Sequence, residues 1–232
     1  MKLISIIVPA FNEEKNVIGT FEAIKNSLIN IPDQFEIIFV DDCSTDKTNI
    51  ILTELAKKNT YIKIVTNKKN LGYGGAFLEG AKISVGKYLQ LIPGDDCFTS
   101  NELKKIVNEL SNNYDWILAD TKDLNNSRSF GRELFSRFFV WTINILFLKH
   151  FRYYNGIHVV KREIFNQFTI NSRGPLLHTE MFLKTLKKTQ NYKIVRAYFV
   201  ERTEGSSKIF NIKTILKTIY ELIYLRIELW LK

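Results

Sequence analysis

Five short apolar runs recur at regular intervals through the first half of the chain: LISIIV (3–8), FEIIFV (35–40), YIKIVT (61–66), KYLQLI (87–92) and DWILA (115–119). Each reads as a strand, and the first, a compact apolar run, as one buried on both faces. Between them apolar residues fall at helical spacing, as in Val17, Ile18, Phe21, Ile24 and Leu28, and again in Ile50, Ile51, Leu55 and Ala56. Ser44 or Asp46 can cap the second of these helices, and Thr99 with Glu102 forms a capping box before a later one. Strand alternating with helix predicts an α/β fold, a mostly parallel sheet between helices. In such sheets ligands bind beyond the carboxyl ends of the strands. The four loops there are PAFNEE, VDDCSTD, NKKNLGYGGA and PGDDC, all rich in carboxylates, amides or glycine. That shared character predicts one site.

The second half changes character. Residues 128–152 carry five basic side chains (Arg128, Arg132, Arg137, Lys149, Arg152) against the single acid Glu133, mixed with Phe and Trp. Alternation resumes with IHVV (157–160), a helix near 175–189 and a strand over 192–200. Amphipathic helices are expected at 131–150 and 208–232. In the latter, Ile212, Ile215, Leu216, Ile219, Ile223, Ile227 and Trp230 share one face. With no linker visible, the expected division is one domain over 1–207 and a helical tail over 208–232. The run from Phe138 to Leu148 is well short of the roughly 20 residues that span a bilayer. The apolar N-terminus reads as a strand, not a signal peptide.

A 45% hydrophobic content excludes a disordered chain. The formal charge of +9 suits anionic partners such as phosphorylated small molecules or anionic lipids. Nucleic acid is not expected, because the basic residues are interleaved with bulky apolar ones and the strand-end loops are acidic. Cys43 and Cys97 cannot frame a disulfide scaffold and suit a reducing compartment. The three histidines, His150, His158 and His178, lack metal-ligand spacing and read as structural.

Chemistry follows from the loops. Pro9 ends the first strand, so backbone near Pro9 and Phe11 can face a base while Glu13 accepts from a ribose; an acidic helix start is the plainer alternative. Asp41 and Asp42 point to opposite sides of an extended chain, so one of them reads a base edge. NLGYGGA matches neither the phosphate loop that ends in Gly-Lys-Ser/Thr nor the dinucleotide fingerprint, since Phe77 stands at the third glycine. Arg132 and Ser136 are one helical turn apart, and an Arg fork can hold phosphate oxygens. Arg202 and Lys208 flank a flexible loop and could close over a diphosphate.

Taken in order, S-IIVPAFNEE-NV, FVDDCSTDKT, N-LGYGGAF--G, GKYLQLIPGDD and ERTEGSSK resemble the family-2 inverting glycosyltransferases of GT-A fold. Within these the sequence looks most like the dolichol-phosphate mannose synthase and polyprenyl-phosphate glycosyltransferase branch, from about residue 3 to residue 210. The resemblance implies a nucleotide-sugar site of Pro9, Phe11, Glu13, Val40, Asp42, Gly72, Pro93, Gly94, Asp95, Arg202 and Lys208. It implies Mg²⁺ or Mn²⁺ at Asp95, with Asp96 standing in for the first carboxylate of the family's Asp-x-Asp, whose place Pro93 takes. Most relatives carry Tyr where Phe11 stands. Asp95, Asp96 and Arg202 would be the catalytic group, and Arg128, Arg132 and Ser136 would receive an acceptor phosphate.

The implied reaction moves a sugar from a UDP- or GDP-linked donor to a polyprenyl phosphate with inversion. Transfer to a saccharide hydroxyl is the alternative and needs a base, either Asp96 or Glu180. A non-catalytic nucleotide-sugar binder is a third reading, opened by Pro93. A nucleotidyltransferase would want a Gly-rich basic loop after the first strand, where this chain is acidic. The implied location is peripheral, on the cytoplasmic face of a membrane. There the tail lies in the interface or packs on its own domain, and a membrane protein or a second copy is the partner.

Overall fold

The computed structural model describes residues 2–31, 34–120, 130–198 and 212–231. The five anticipated strands are present as β1 (Ile4–Ala10), β2 (Phe35–Asp41), β3 (Ile62–Thr66), β4 (Tyr88–Leu91) and β5 (Trp116–Asp120). They are joined by β6 (His158–Lys161) and β7 (Tyr192–Arg196) in one seven-stranded sheet of order β3-β2-β1-β4-β6-β5-β7. Every pairing is parallel except those of β6, which runs antiparallel to both β4 and β5. The carboxyl ends of β1 to β5 therefore lie along one edge. β7 is shorter than anticipated: it ends at Arg196, and residues 199–200 lie outside the described part.

Alternate strand residues feed two cores. Ile4, Ile6, Val8, Ile37 and Phe39 meet α1 (Val17–Ser27), α2 (Thr48–Lys58) and α4 (Ser100–Val107) on one face. Ile7, Ile38, Val40, Leu89 and Leu91 meet α3 (Gly72–Ile83) on the other. That second core also takes α5 (Phe130–Phe147), α7 (Leu177–Lys188) and α8 (Ile212–Leu231); the single-turn α6 (Arg162–Phe165) follows β6. Burial on both faces explains the continuous apolar runs of β1, β2, β4 and β5, while β3, at the sheet edge, is only partly buried.

Pro9 does not end β1, which continues to Ala10 with Pro9 opposite Val40. The β4 pairing has already stopped at Ile7, so the missing proline amide breaks no ladder on that side. Thr99 Oγ1 accepts the Glu102 amide at 3.4 Å, but the Glu102 carboxylate turns to Lys105 and the Tyr198 amide instead of closing the box.

The tail helix is docked by the side opposite to the anticipated stripe. Leu222 and Leu225 are buried and Leu229 packs on the same core, while Ile219, Ile223, Ile227 and Trp230 face outward. The side chains of Ile212, Ile215 and Leu216 are outside the described part. An ion pair and hydrogen bonds reinforce the dock: Glu228 with Lys184 at 2.9 Å and with the Asn171 side chain at 3.2 Å, Glu221 with the Ser172 hydroxyl at 3.0 Å, and the Leu229 carbonyl with Lys187 at 2.5 Å.

Candidate functional site

The first two strand-end loops are laced together. Asn12, with a left-handed backbone (φ 58°), accepts the Thr45 amide on its side-chain oxygen at 2.8 Å, and its own amide donates to Ser44 Oγ at 3.0 Å. The Glu13 amide donates to Thr48 Oγ1, the Glu14 amide to Asp46, and the Lys47 amide to Glu14. Asn12 is a site-building residue that sequence reasoning passed over, although Asn is the non-glycine residue best suited to that backbone region. Ser44 therefore braces the neighbouring loop and does not cap α2. Asp46 accepts the Thr48 amide and hydroxyl at the start of that helix. Phe11 stands exposed at this edge, and the Glu13 carboxylate accepts from Asn16 at 2.7 Å.

Asp41 and Asp42 of VDDCSTD are both turned inward. Asp41 accepts the Ser44 amide and the Asn49 side chain. Asp42 is 3% exposed and accepts three donors: Asn67 at 2.7 Å, the Leu71 amide at 2.9 Å and the Gly72 amide at 2.8 Å. Its visible work is to hold the glycine-rich segment against the end of β2. Val40, wholly buried beneath α3, lines the core below it. The glycines of this segment serve a close approach within the protein. Gly74 donates its amide to the Arg173 carbonyl at 3.2 Å, and a Cβ at Gly74 would come within 2.5 Å of the Ser172 carbonyl.

PGDD crosses the end of β1, where the Gly94 amide donates to the Pro9 carbonyl at 3.1 Å. Pro9, Gly94 and Asp95 are thus brought together, with Asp95 buried and Pro93 half-buried. Asp96 is exposed, with a left-handed backbone (φ 54°) and its amide donated to Thr20 Oγ1 at 2.9 Å. Its carboxylate lies over Gly19 of α1, where a Cβ would occupy the same space. Although the residue is exposed, its carboxyl is partly covered by α1, and this desolvation with the neighbouring Asp95 charge pushes it above its ordinary value. Among the described residues no three His, Cys, Asp or Glu side chains gather as a metal cage. Two adjacent hard oxygen donors under mutual repulsion still fit a divalent ion that takes its remaining ligands from phosphate and water.

Ser136 is half-buried on α5, with Arg132 one turn before it on the same helix. Arg128, Arg202 and Lys208 lie outside the described residues. At the β5 end of the same sheet edge a cleft of about 420 Å³ is lined by Leu118, Asp120, Phe151, Arg152, Tyr192 and Ile194.

Glu180 is sealed. It is 3% exposed, and its oxygens accept the Asn171 and Ser172 amides at 2.9 and 2.7 Å while Lys184 approaches at 2.7 Å. Two histidines pack in the second core: His158 stacks on Trp116 and lies at a tilt beside the half-buried His178, whose Nε2 lies 3.3 Å from the Tyr73 hydroxyl. Burial holds the His158 imidazole well below its ordinary value and His178 down at about 4.

The sequence matches the family described as Glycosyl transferase family 2 over residues 5–172. It is 29% identical over 147 residues to the undecaprenyl-phosphate 4-deoxy-4-formamido-L-arabinose transferase of Pectobacterium atrosepticum, covering 63% of this chain and 43% of that protein. It is 27% identical over 132 residues to the UDP-Glc:alpha-D-GlcNAc-diphosphoundecaprenol beta-1,3-glucosyltransferase WfgD of Escherichia coli, covering 56% of this chain and 50% of that protein. The matches thus span half or less of either relative's length. The fold is shared with glucosyl-3-phosphoglycerate synthase from Mycobacterium tuberculosis, solved with Mn²⁺, UDP-glucose and phosphoglyceric acid. That structure superposes with a TM-score of 0.74 over 97% of this chain and 80% of that one, at 16% identity.

Proposed function

Because the chain belongs to glycosyl transferase family 2, with a GT-A-like sheet, we propose that it transfers a sugar from a nucleotide-diphosphate sugar to a polyprenyl phosphate, with inversion at C1. The observation that carries this choice of acceptor is the sealed Glu180, one of the two candidate bases. A hydroxyl acceptor needs a carboxylate free to take its proton, and the Glu180 oxygens are committed to two backbone amides and a buried lysine. A phosphate acceptor is already an anion and asks for no base. The transferase of Pectobacterium is named for an undecaprenyl-phosphate acceptor, which supports the same reading.

In this reading the nucleoside lies over the laced loops of β1 and β2, beside Pro9, Phe11, Glu13 and the glycine segment that Asp42 holds. The diphosphate lies over Pro93, Gly94 and Asp95. Mg²⁺ or Mn²⁺ held by Asp95, with Asp96 beside it, would screen the diphosphate charge. Arg202 and Lys208 supply further positive charge to the leaving group. Arg128, Arg132 and Ser136 hold the acceptor phosphate so that one of its oxygens faces C1. That oxygen forms the new bond to C1 as the bond to the diphosphate breaks, and the electron pair leaves on the nucleoside diphosphate. The chain's part is alignment and charge.

A second reading has one observation in its favour. Asp96 is exposed beside Asp95 at the strand-end edge, open to an acceptor hydroxyl, so transfer to a saccharide hydroxyl is the alternative, in keeping with the name of WfgD.

The outward stripes of α5 and α8 suit a peripheral location. Leu134, Phe138, Trp141 and Ile145 are exposed on α5, as are Ile219, Ile223, Ile227 and Trp230 on α8. No described helix is long and apolar enough to cross a membrane. We assign both stripes to the cytoplasmic face of an anionic membrane, at the level of a lipid phosphate.

The test is release of nucleoside diphosphate from UDP- and GDP-sugars, with undecaprenyl phosphate or a lipid-linked saccharide as acceptor. Turnover with the phosphate alone is expected, and Arg132→Ala should raise its KM while leaving nucleotide affinity unchanged. Turnover with the saccharide alone, abolished by Asp96→Asn, would establish the second reading.

A further inference from the structure

The tail helix and the glycine-rich start of α3 are joined by one continuous set of polar contacts. Lys184 stands at its centre, 3% exposed. Its ammonium donates to the Thr169 carbonyl at 2.8 Å, to Glu180 at 2.7 Å and to both oxygens of Glu228 at 2.9 and 3.0 Å. Glu180 holds the amides of Asn171 and Ser172. From α8, Glu228 accepts the Asn171 side chain at 3.2 Å and Glu221 accepts the Ser172 hydroxyl at 3.0 Å. The turn held in this way presents the Arg173 carbonyl to the Gly74 amide, and its Ser172 carbonyl fills the space a side chain at Gly74 would need.

We infer that Glu180, Lys184 and Glu228 are positioning residues for the nucleotide end of the site, which set where segment 71–75 stands by fixing turn 171–174 to α8. The inference rests on the proposed sugar-transfer reading for its functional meaning. Two physical points support it. First, α8 already has an apolar dock in Leu222, Leu225 and Leu229, so holding the helix alone does not call for the buried Glu180–Lys184 pair and the largely covered Glu228 that meets it. Burying charge is costly and is offset only in a fixed geometry, which makes such a cluster a device for register. Second, the glycine segment has two supports. Asp42 grips Leu71 and Gly72 from β2, and turn 171–174 meets Gly74 from α7 and α8. Only the second depends on the tail.

The experiment is hydrogen–deuterium exchange on the full chain carrying Glu228→Gln, paired with nucleotide binding and donor kinetics. Amides of 171–174 and 71–75 should exchange about tenfold faster, while those of β1 and β2 keep their protection. Donor KM should rise by about fivefold, more than kcat falls, and Glu228→Asp should recover part of it. Acceleration confined to α8, or none at all, overturns the inference. If Glu228→Gln loosens the whole sheet, Glu221→Ala decides by the same readout, because it removes the link from α8 to the Ser172 hydroxyl and leaves Glu180, Lys184 and Glu228 in place. Wild-type protein that binds neither UDP nor GDP would refute the sugar-transfer reading, whereas the exchange pattern would still decide the coupling.

Discussion

Asp42 and Gly72 are tied across 30 residues of sequence by a 2.8 Å hydrogen bond from the glycine amide to a carboxylate that is almost wholly buried. The same side chain takes the Leu71 amide, so one carboxylate satisfies two backbone donors at the entry to α3. An amide side chain cannot do this, because its NH₂ group would face the Gly72 amide donor to donor. Asp42→Asn should therefore cost about 1–3 kcal/mol of stability, as for a lost hydrogen bond to a charged acceptor, although the Gly72 amide keeps Asn70 Oδ1 at 3.0 Å. It should also weaken nucleotide binding by disturbing the glycine segment. Thermal melts and calorimetric titration with UDP and GDP measure the two effects, and unchanged values in both would remove Asp42 from the construction of the site.

Asp95 and Asp96 set up a contrasting case, in which a charge is destabilising in the resting protein. Asp95→Ala relieves the repulsion that, together with burial, raises the Asp96 carboxyl. The variant should fold at least as stably as the parent, yet lose about 10²-fold or more in turnover, equivalent to about 2.7 kcal/mol of transition-state stabilisation. Near-normal turnover, or a parent enzyme indifferent to a chelator, would remove the divalent ion from the mechanism.

Much of this was legible in the sequence, and the part that was not has a physical cause. β1, β2, β4 and β5 are compact apolar runs because both of their faces are covered, whereas the edge strand β3 is only partly covered and carries Lys63, and that property is local. The convergence of their acidic and glycine-rich exits then follows from parallel connectivity. What periodicity cannot supply is the partner of a polar group. The tail offers a stripe of Ile219, Ile223, Ile227 and Trp230 and a second stripe of Leu222, Leu225 and Leu229, and apolarity alone does not say which is buried. Lys184 decides it, reaching Glu228 from 44 residues away. In the same way VDDCSTD displays a carboxylate at a strand end, but the three donors that occupy Asp42 lie 25 to 30 residues onward.

The second core carries an acid-sensitive element. The folded protein holds His178 at about 4 and His158 well below its ordinary value of 6.5, so the unfolded chain binds more protons between those limits. Stability is then fully present above about pH 6.5 and declines as pH falls towards 4, by about 2 kcal/mol or more. His178→Gln keeps a polar partner for the Tyr73 hydroxyl but does not titrate, and should flatten that decline. Melting temperatures at pH 7.5 and pH 5 for parent and variant give the comparison; equal slopes would assign the acid sensitivity to other groups.

The outward stripe of α8 allows its role to be separated from its fold. Ile223 and Ile227 are each about half exposed, and Trp230 is 74% exposed, whereas the docking side is held by Leu222, Leu225 and the Glu228–Lys184 pair. A double change, Ile223→Glu with Ile227→Glu, leaves every docking contact in place and should move the melting temperature little, as is usual for surface positions. On an anionic bilayer it removes buried apolar area and adds repulsion, so both contributions to interfacial binding are lost together. The parent chain should float with liposomes containing anionic lipid, less so at high salt, and the double variant should stay at the bottom of the gradient. A melting temperature that falls with flotation would point to a packing role for these residues. Flotation by parent and variant alike would shift the membrane contact to the Leu134, Phe138, Trp141 and Ile145 face of α5, where Trp141→Glu is the corresponding test.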